Sequence, residues 1–255
     1  LINETAKEMG ISASKAAKTI ATSLGLEKIS GGTLLSKTPE QIVASAGKSA
    51  SKLEAAANVF EATKQIDTLV KMGAAVLAGA TGGTGPTASA LQGGLVKAIA
   101  ASIASGVPIE FSSATQLSGL LNKAAENAGF TTEQQAKVST LASAAGTVIA
   151  ATATKITEAV EAAQQGKQTS KDGIAAALQT LENVEKVADT VTKAIESAAT
   201  TGNLDKVVDN YTGDALDNVV SDPTKLPADP VTPTTPTTPT TPTTPTTPTT
   251  PTTPT

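Results

Sequence analysis

Residues 131–160 read TTEQQAKVSTLASAAGTVIAATATKITEAV. One seam runs through Val138, Leu141, Ala145, Val148, Thr152, Ile156 and Val160. Steps of three and four residues place these side chains on a single face of an α-helix. Thr131 and Gln134 stand three apart just ahead of the seam, where a reciprocal capping box starts a helix. No alternating pattern competes with this reading, so the stretch predicts a long helix.

The same signals recur on both sides. Towards the C-terminus, a helix follows Asp172 with the seam Ile174, Leu178, Leu181, Val184, Ala188, Val191, Ile195 and Ala198, and Gly202 ends it. Two short helices, LDKVVDN and GDALDNVV, come next. Thr212 is the expected N-cap of the second, and Asp222-Pro223 a firm stop. Towards the N-terminus, Ser113 and Gln116 read as a capping box ahead of LSGLLNKAAENAG, and VPIEF as an extended joint. A helix spans roughly residues 88–105. The Gly-rich break GATGGTGPT separates it from a long helix with the spacing Leu53, Ala56, Phe60, Thr63, Ile66, Val70 and Leu77. Thr38, Pro39 and Gln41 carry the N-cap, N1 and capping-box cues for a helix start. Residues 27–37 read as a loop. Before it, Ser12 caps ASKAAKTIATSL, Gly25 takes the left-handed position after that helix, and Leu26 is its hydrophobic partner.

These elements predict an all-α fold. Helices of such lengths joined by glycine turns suggest an antiparallel helical bundle, or two sub-bundles meeting near residues 81–87. The helical domain is expected over 1–222 and a Pro/Thr-rich linker over 223–255.

The residue menu restricts chemistry. The chain has no Cys, His, Trp or Arg, so its 19 basic residues are all Lys. Histidine-dependent triads and ordinary zinc sites are therefore ruled out. The net charge is −4, with Lys scattered among Asp and Glu. Nucleic-acid binding calls for a clustered basic face, which argues against that partner. The longest uncharged stretch, 138–154, is full of Ser, Thr and Ala, and no transmembrane segment is expected.

Several motifs invite a sharper reading. GGTGPT at 82–87 precedes a helix but lacks the Gly-Lys-Ser/Thr ending and the preceding strand of a phosphate loop, so it reads as a helix joint. SASK at 12–15 has Ser-x-x-Lys spacing without the companion motifs of penicillin-recognising enzymes. Asp205, Asp209, Asp214, Asp217 and Asp222 are acidic but too dispersed for a calcium loop, and Asp214 suits a helix start. Thr140, Thr147, Thr152, Thr154 and Thr157 do not keep the spacing of an ice-binding face. No catalytic, cofactor-binding or metal-ligating residue is assigned, and no enzyme activity is expected.

Four stretches carry a resemblance: GISASKAAKTIATSLGLEKI (10–29), TPEQIVASAGKSASKLEAAANVFEATKQIDTLVKMGAAVLAG (38–79), VPIEFSSATQLSGLLNKAAENAG (107–129) and NLDKVVDNYTGDALDNVV (203–220). Their order resembles an alanine-rich helical region of very large exported bacterial surface proteins, where it lies beside cadherin-like, immunoglobulin-like or RTX-type calcium-binding domains. The likeness covers most of 1–222. LGL at 24–26 and TGDALDNVV at 212–220 are its most telling parts. The resemblance implies secretion to the cell surface and a structural or adhesive role, and it brings no catalytic residues. The family usually has a further helical segment ahead of the position of Leu1, so the chain is expected to be a fragment of something longer.

The chain closes on a Pro-Thr-Thr repeat from Pro233 to Pro254. A polyproline II helix also has three residues per turn, so the tract is expected to form a stiffened rod of roughly 70 Å; disorder is the alternative. Its Thr residues are candidate sites for O-linked sugars. The expected function is a non-enzymatic spacer of a large secreted surface protein, separating or presenting adhesive domains of the same chain. The rivals are a helical adhesin domain that binds an extracellular protein or glycan, and an accessory segment of a secreted hydrolase.

Overall fold

A computed structural model of the chain describes residues 1–38, 41–42, 45, 50–82, 84–166 and 171–226. Pro39, Gly83 and the tail over 227–255 lie outside the described residues, as do the side chains of Ile174 and Leu178. The described residues form helices and turns, with no strand among them. In chain order the helices are α1 (Ile2–Met9), α2 (Ala13–Ser23), α3 (Gly31–Ser36), α4 (Ala50–Ala80), α5 (Ala88–Ala104), α6 (Ala114–Asn127), α7 (Thr132–Gly166), α8 (Lys171–Thr201), α9 (Asp205–Asn210) and α10 (Gly213–Ser221). A 3-10 turn, Pro223–Lys225, follows.

The caps explain where the helices begin and end. Thr131 and Gln134 exchange hydrogen bonds of 3.0 and 3.3 Å, as the capping box requires. Thr38 and Gln41 do the same. Ser12 and Thr87 each accept the backbone N–H three residues on. After α2, Gly25 has φ +67°, the Leu26 N–H donates to the Ala21 carbonyl and the Gly25 N–H to the Thr22 carbonyl. That is a complete Schellman ending, and Leu26 buries beside it.

From α4 to α8 the chain runs up, down, up, down, up. Asn58 meets Gln164 and Gln65 meets Thr157, so α4 and α7 are antiparallel. Lys64 pairs with Glu185, and Gly79 lies against Ala199, so α4 and α8 are parallel. Helices α4 to α7 make a four-helix bundle, and α8 packs along the outer groove between α4 and α7. The described part of the break at 81–87 lies in the turn between α4 and α5. Buried residues from Ile20 to Val220 form one continuous cluster. Helix α1 rests on α2 and α5, while α9 and α10 close over α7 and α8. A smaller cluster of Ala21, Leu26, Ile42, Ala56, Val59 and Ala62 joins the N-terminal helices to the start of α4.

All seven seam residues of α7 are buried. Four expectations need correction. Residues 27–37 are not all loop, because Ser30 caps the short helix α3 by accepting from the Thr33 N–H. On α4 the expected seam holds only in part: Ala56 and Leu77 are buried, but Thr63 is exposed, Leu53, Phe60, Ile66 and Val70 are half-buried, and Val59, Ala62, Leu69, Met72 and Val76 are buried as well. The reason is that α4 has neighbours on several sides, α5, α7 and α8, so it buries no single stripe. Gln116 receives the Ser113 cap but does not complete a box. Its amide instead accepts from the Glu110 N–H and donates to the Pro108 carbonyl, which pins the extended joint. Thr212 does stand at the N-cap of α10, but its side chain makes no cap bond there and donates instead to the Val208 carbonyl of α9.

The helix axes approach where side chains are missing. A methyl group at Gly94 of α5 would stand 2.7 Å from the Ala124 carbonyl oxygen of α6. One at Gly146 of α7 would overlap the Ala114 carbonyl of α6, and one at Gly79 of α4 would overlap Ala199 of α8. Gly119 of α6 faces open space. Gly146→Ala is expected to destabilise the fold by about 1–3 kcal/mol through overpacking. Gly119→Ala should stabilise it by about 0.5–1 kcal/mol, because only backbone entropy changes there. Urea denaturation of the two variants checks both signs.

Candidate functional site

Polar chemistry in this body concentrates at helix seams. Between α4 and α7, the Thr157 hydroxyl donates to Glu61 Oε1 at 2.6 Å, and Gln65 Nε2 donates to Thr157 Oγ1 at 2.9 Å and to Glu61 at 3.2 Å. Gln65 is buried. Gln65 and Thr157 line a cavity of about 220 Å³ together with Ile109 and Phe111 of the extended joint and Leu24 at the end of α2. The three side chains satisfy one another, so the network fixes the register of α4 against α7.

A second polar seam ties the C-terminal helices down. Lys155 of α7 bridges Glu158 and Asp217 of α10, both at 2.6 Å. Burial pushes its pKa down, but the hydrogen bonds that the ammonium donates to Asp217 and Glu158 outweigh it, and the pKa ends above the ordinary lysine value. Asn183 Nδ2 of α8 donates to the Val220 carbonyl at the end of α10. Along the α4–α8 groove, Lys64 pairs with Glu185 and Lys71 with Asp67. The hydrogen bond that Lys71 donates to Asp67 raises the Lys71 pKa against the cost of burial, with the charges of Asp67, Asp189 and Glu185 adding to it. At the end of the body Asp222 accepts from Thr224 Oγ1 and the Thr224 N–H, which lowers its pKa.

The motifs weighed in the sequence fall in structural places. Ser12 and Lys15 of SASK are the N-cap and the backbone N–H it receives. The described part of 82–87 is the α4–α5 turn that ends in the Thr87 cap. The five aspartates do not converge: Asp217 goes to Lys155 and Asp222 to the 3-10 turn, and no three potential metal ligands gather among the described residues. Thr140, Thr147, Thr152 and Thr154 donate back to the carbonyl four residues before them, Thr152 is fully buried, and Thr157 gives its proton to Glu61. No described helix is long and apolar enough to cross a membrane.

One surface feature escaped the sequence. Lys28, Lys37 and Lys52 line an open cleft of about 630 Å³ between α3 and the start of α4. The lysines are spread along a stretch that reads as loop and helix start. They converge because α3 is a helix, and the missed Ser30 cap was the available signal.

No protein-family model, curated protein or solved structure matches the chain.

Lys155→Met tests the α7–α10 tie. The side chain is 21% exposed and its partner Asp217 is 52% exposed, so the expected loss is about 0.5–1 kcal/mol at neutral pH. A lysine pKa raised by folding contributes stability that is fully present below the ordinary value of 10.5 and is lost as pH rises through the folded value. The gap between wild type and Lys155→Met in thermal unfolding should therefore be open at pH 7 and close above 10.5. A gap unchanged at that pH would show that packing, and not charge, is what the lysine supplies.

Proposed function

We propose that residues 1–222 are a non-enzymatic spacer of a large secreted bacterial surface protein, and that residues 223–255 are the stalk that joins it to a neighbouring domain. Its partners are then adjacent, adhesive domains of the same chain, and it works outside the cell. The observation that carries this reading is the side-by-side packing of α4, α7 and α8 through backbone-close contacts. The longest of them, α7, has 35 residues, or roughly 50 Å of helix. Close packing of long helices resists bending, which is what holding a neighbour at a distance demands. The three-residue Pro-Thr-Thr period of the sequence matches the turn of a polyproline II helix, the pattern that a stalk calls for. The order of quoted motifs supports the exported setting. The rival reading, a helical adhesin domain, is favoured by the lysine-lined cleft alone.

Two measurements on producing cells test the proposal. Proteinase added to intact cells is expected to cut the chain, and a chain protected until the cells are lysed would contradict an extracellular role. Replacing residues 1–222 with an unrelated helical bundle of equal length should keep the neighbouring domain at its height above the surface, whereas deleting them should lower it. A replacement that abolishes adhesion as completely as the deletion would overturn the spacer reading.

A further inference from the structure

The Glu61–Gln65–Thr157 network has spent every donor it owns. Gln65 Nε2 gives its two hydrogens to Glu61 Oε1 and Thr157 Oγ1, and the Thr157 hydroxyl gives its own to Glu61 Oε1. Acceptors are left over. Among the described residues nothing donates to Gln65 Oε1 or to Glu61 Oε2. Gln65 is only 8% exposed and lines the cavity between α4 and α7, yet its Oε1 is not sealed inside the packing. Thr154, on the same wall, has given its proton to the Ala150 carbonyl and keeps only lone pairs. Ser112 holds the one uncommitted side-chain proton of the lining. No lysine lines the cavity, and Glu61 joins no ion pair among the described residues. A wall of acceptors backed by one negative charge calls for a positive donor.

We infer that this cavity binds a small organic primary ammonium ion, its head group on Gln65 and Thr154 and its apolar body against Leu24, Ile109 and Phe111. An ammonium carries three N–H donors and no acceptor, the complement of what the wall offers. Glu61 stands one hydrogen bond behind Gln65 and supplies the countercharge. The rest of the lining is apolar, with Ile109 and Phe111 buried and Leu24 half-buried. A calcium ion would need six or more oxygens and would leave that half unused. The cavity of about 220 Å³ equals the share of about seven waters, space for an amine of about eight non-hydrogen atoms. Small-molecule sites are built in this way, from mostly apolar walls and a few placed polar groups, where separate elements meet. Here the elements are the end of α2, the extended joint and the α4–α7 seam. The site goes beyond the spacer reading and does not rest on it: a body can keep its neighbours apart and still hold an amine.

Titration of the full chain with benzylammonium, followed by amide NMR shifts, tests the inference. Benzyl alcohol, benzoate and tetramethylammonium are the comparison probes: the first lacks the charge, the second reverses it and the third has no N–H. Saturable binding with a Kd of about 1 mM or tighter is expected for benzylammonium, and binding at least roughly tenfold weaker for the other three. Gln65→Met keeps the length of the side chain, removes the amide oxygen and should weaken binding roughly tenfold or more. Gln179→Met, the same change on an exposed face of α8, should leave it within roughly twofold. If Gln65→Met unfolds the chain by circular dichroism, Thr154→Val decides in its place, with a loss of roughly threefold or more expected from the missing acceptor. No saturable binding of benzylammonium, equally tight binding of any comparison probe, or an equal effect of the Gln65 and Gln179 variants would overturn the site.

Discussion

Each long helix of this bundle meets a neighbour at a point where glycine removes the side chain from the seam. Gly94 brings α5 onto α6, Gly146 brings α7 onto α6, and Gly79 brings α4 onto α8. Interaxial distance depends on the side chains at the contact, so these positions set the spacing of the whole body. The rest follows from that spacing. Alanine, valine, leucine and isoleucine fill the narrow interior between the long helices, and three of the four aromatic residues enter the core from the joints, Phe111 and Phe130 before α6 and α7 and Tyr211 between α9 and α10, while Phe60 is half-buried on α4. A core of small side chains buries less apolar area per residue than one of large side chains, and close backbone approach recovers part of that through dispersion.

Polar side chains add what small residues cannot. Alanine seams slide easily because one alanine resembles the next. The Glu61–Gln65–Thr157 network, the Gln116 amide on the 108–110 joint and the Lys155 bridge each occur once and fix one register. Their contribution lies in choosing among alternatives more than in net stability. The same logic suits a spacer, where a defined length matters more than a high melting temperature.

Much of the fold was legible because helix caps and seams are local. The α7 seam and its Thr131–Gln134 box could be read directly, since one buried face and a reciprocal cap leave a mark in sequence order. The α4 seam could not, because a helix with neighbours on several sides loses its single stripe. Gln116 kept the spacing of a capping box yet turned its amide to a joint six and eight residues earlier, a choice made by tertiary geometry. The lysine cleft was hidden for the same reason. Its residues come together only when α3 folds and packs on α2, beside the smaller core that includes the start of α4. The contacting glycines were also invisible, since Gly119, Gly94 and Gly146 look alike within a helical pattern and differ only in what stands opposite.

The central claim is that missing side chains set the helix spacing, and the α4–α8 seam offers its most direct test. Unfolding free energies of Gly79→Ala, Ala199→Gly and the double variant form a thermodynamic cycle. A methyl at Gly79 would overlap Ala199 and stand 2.9 Å from the Glu196 carbonyl oxygen, so removing the Ala199 methyl relieves part of the clash. The account predicts a double variant more stable than the sum of the single effects by about 1 kcal/mol. Strict additivity would contradict it, because the two positions would then act as independent helix residues and not as one contact.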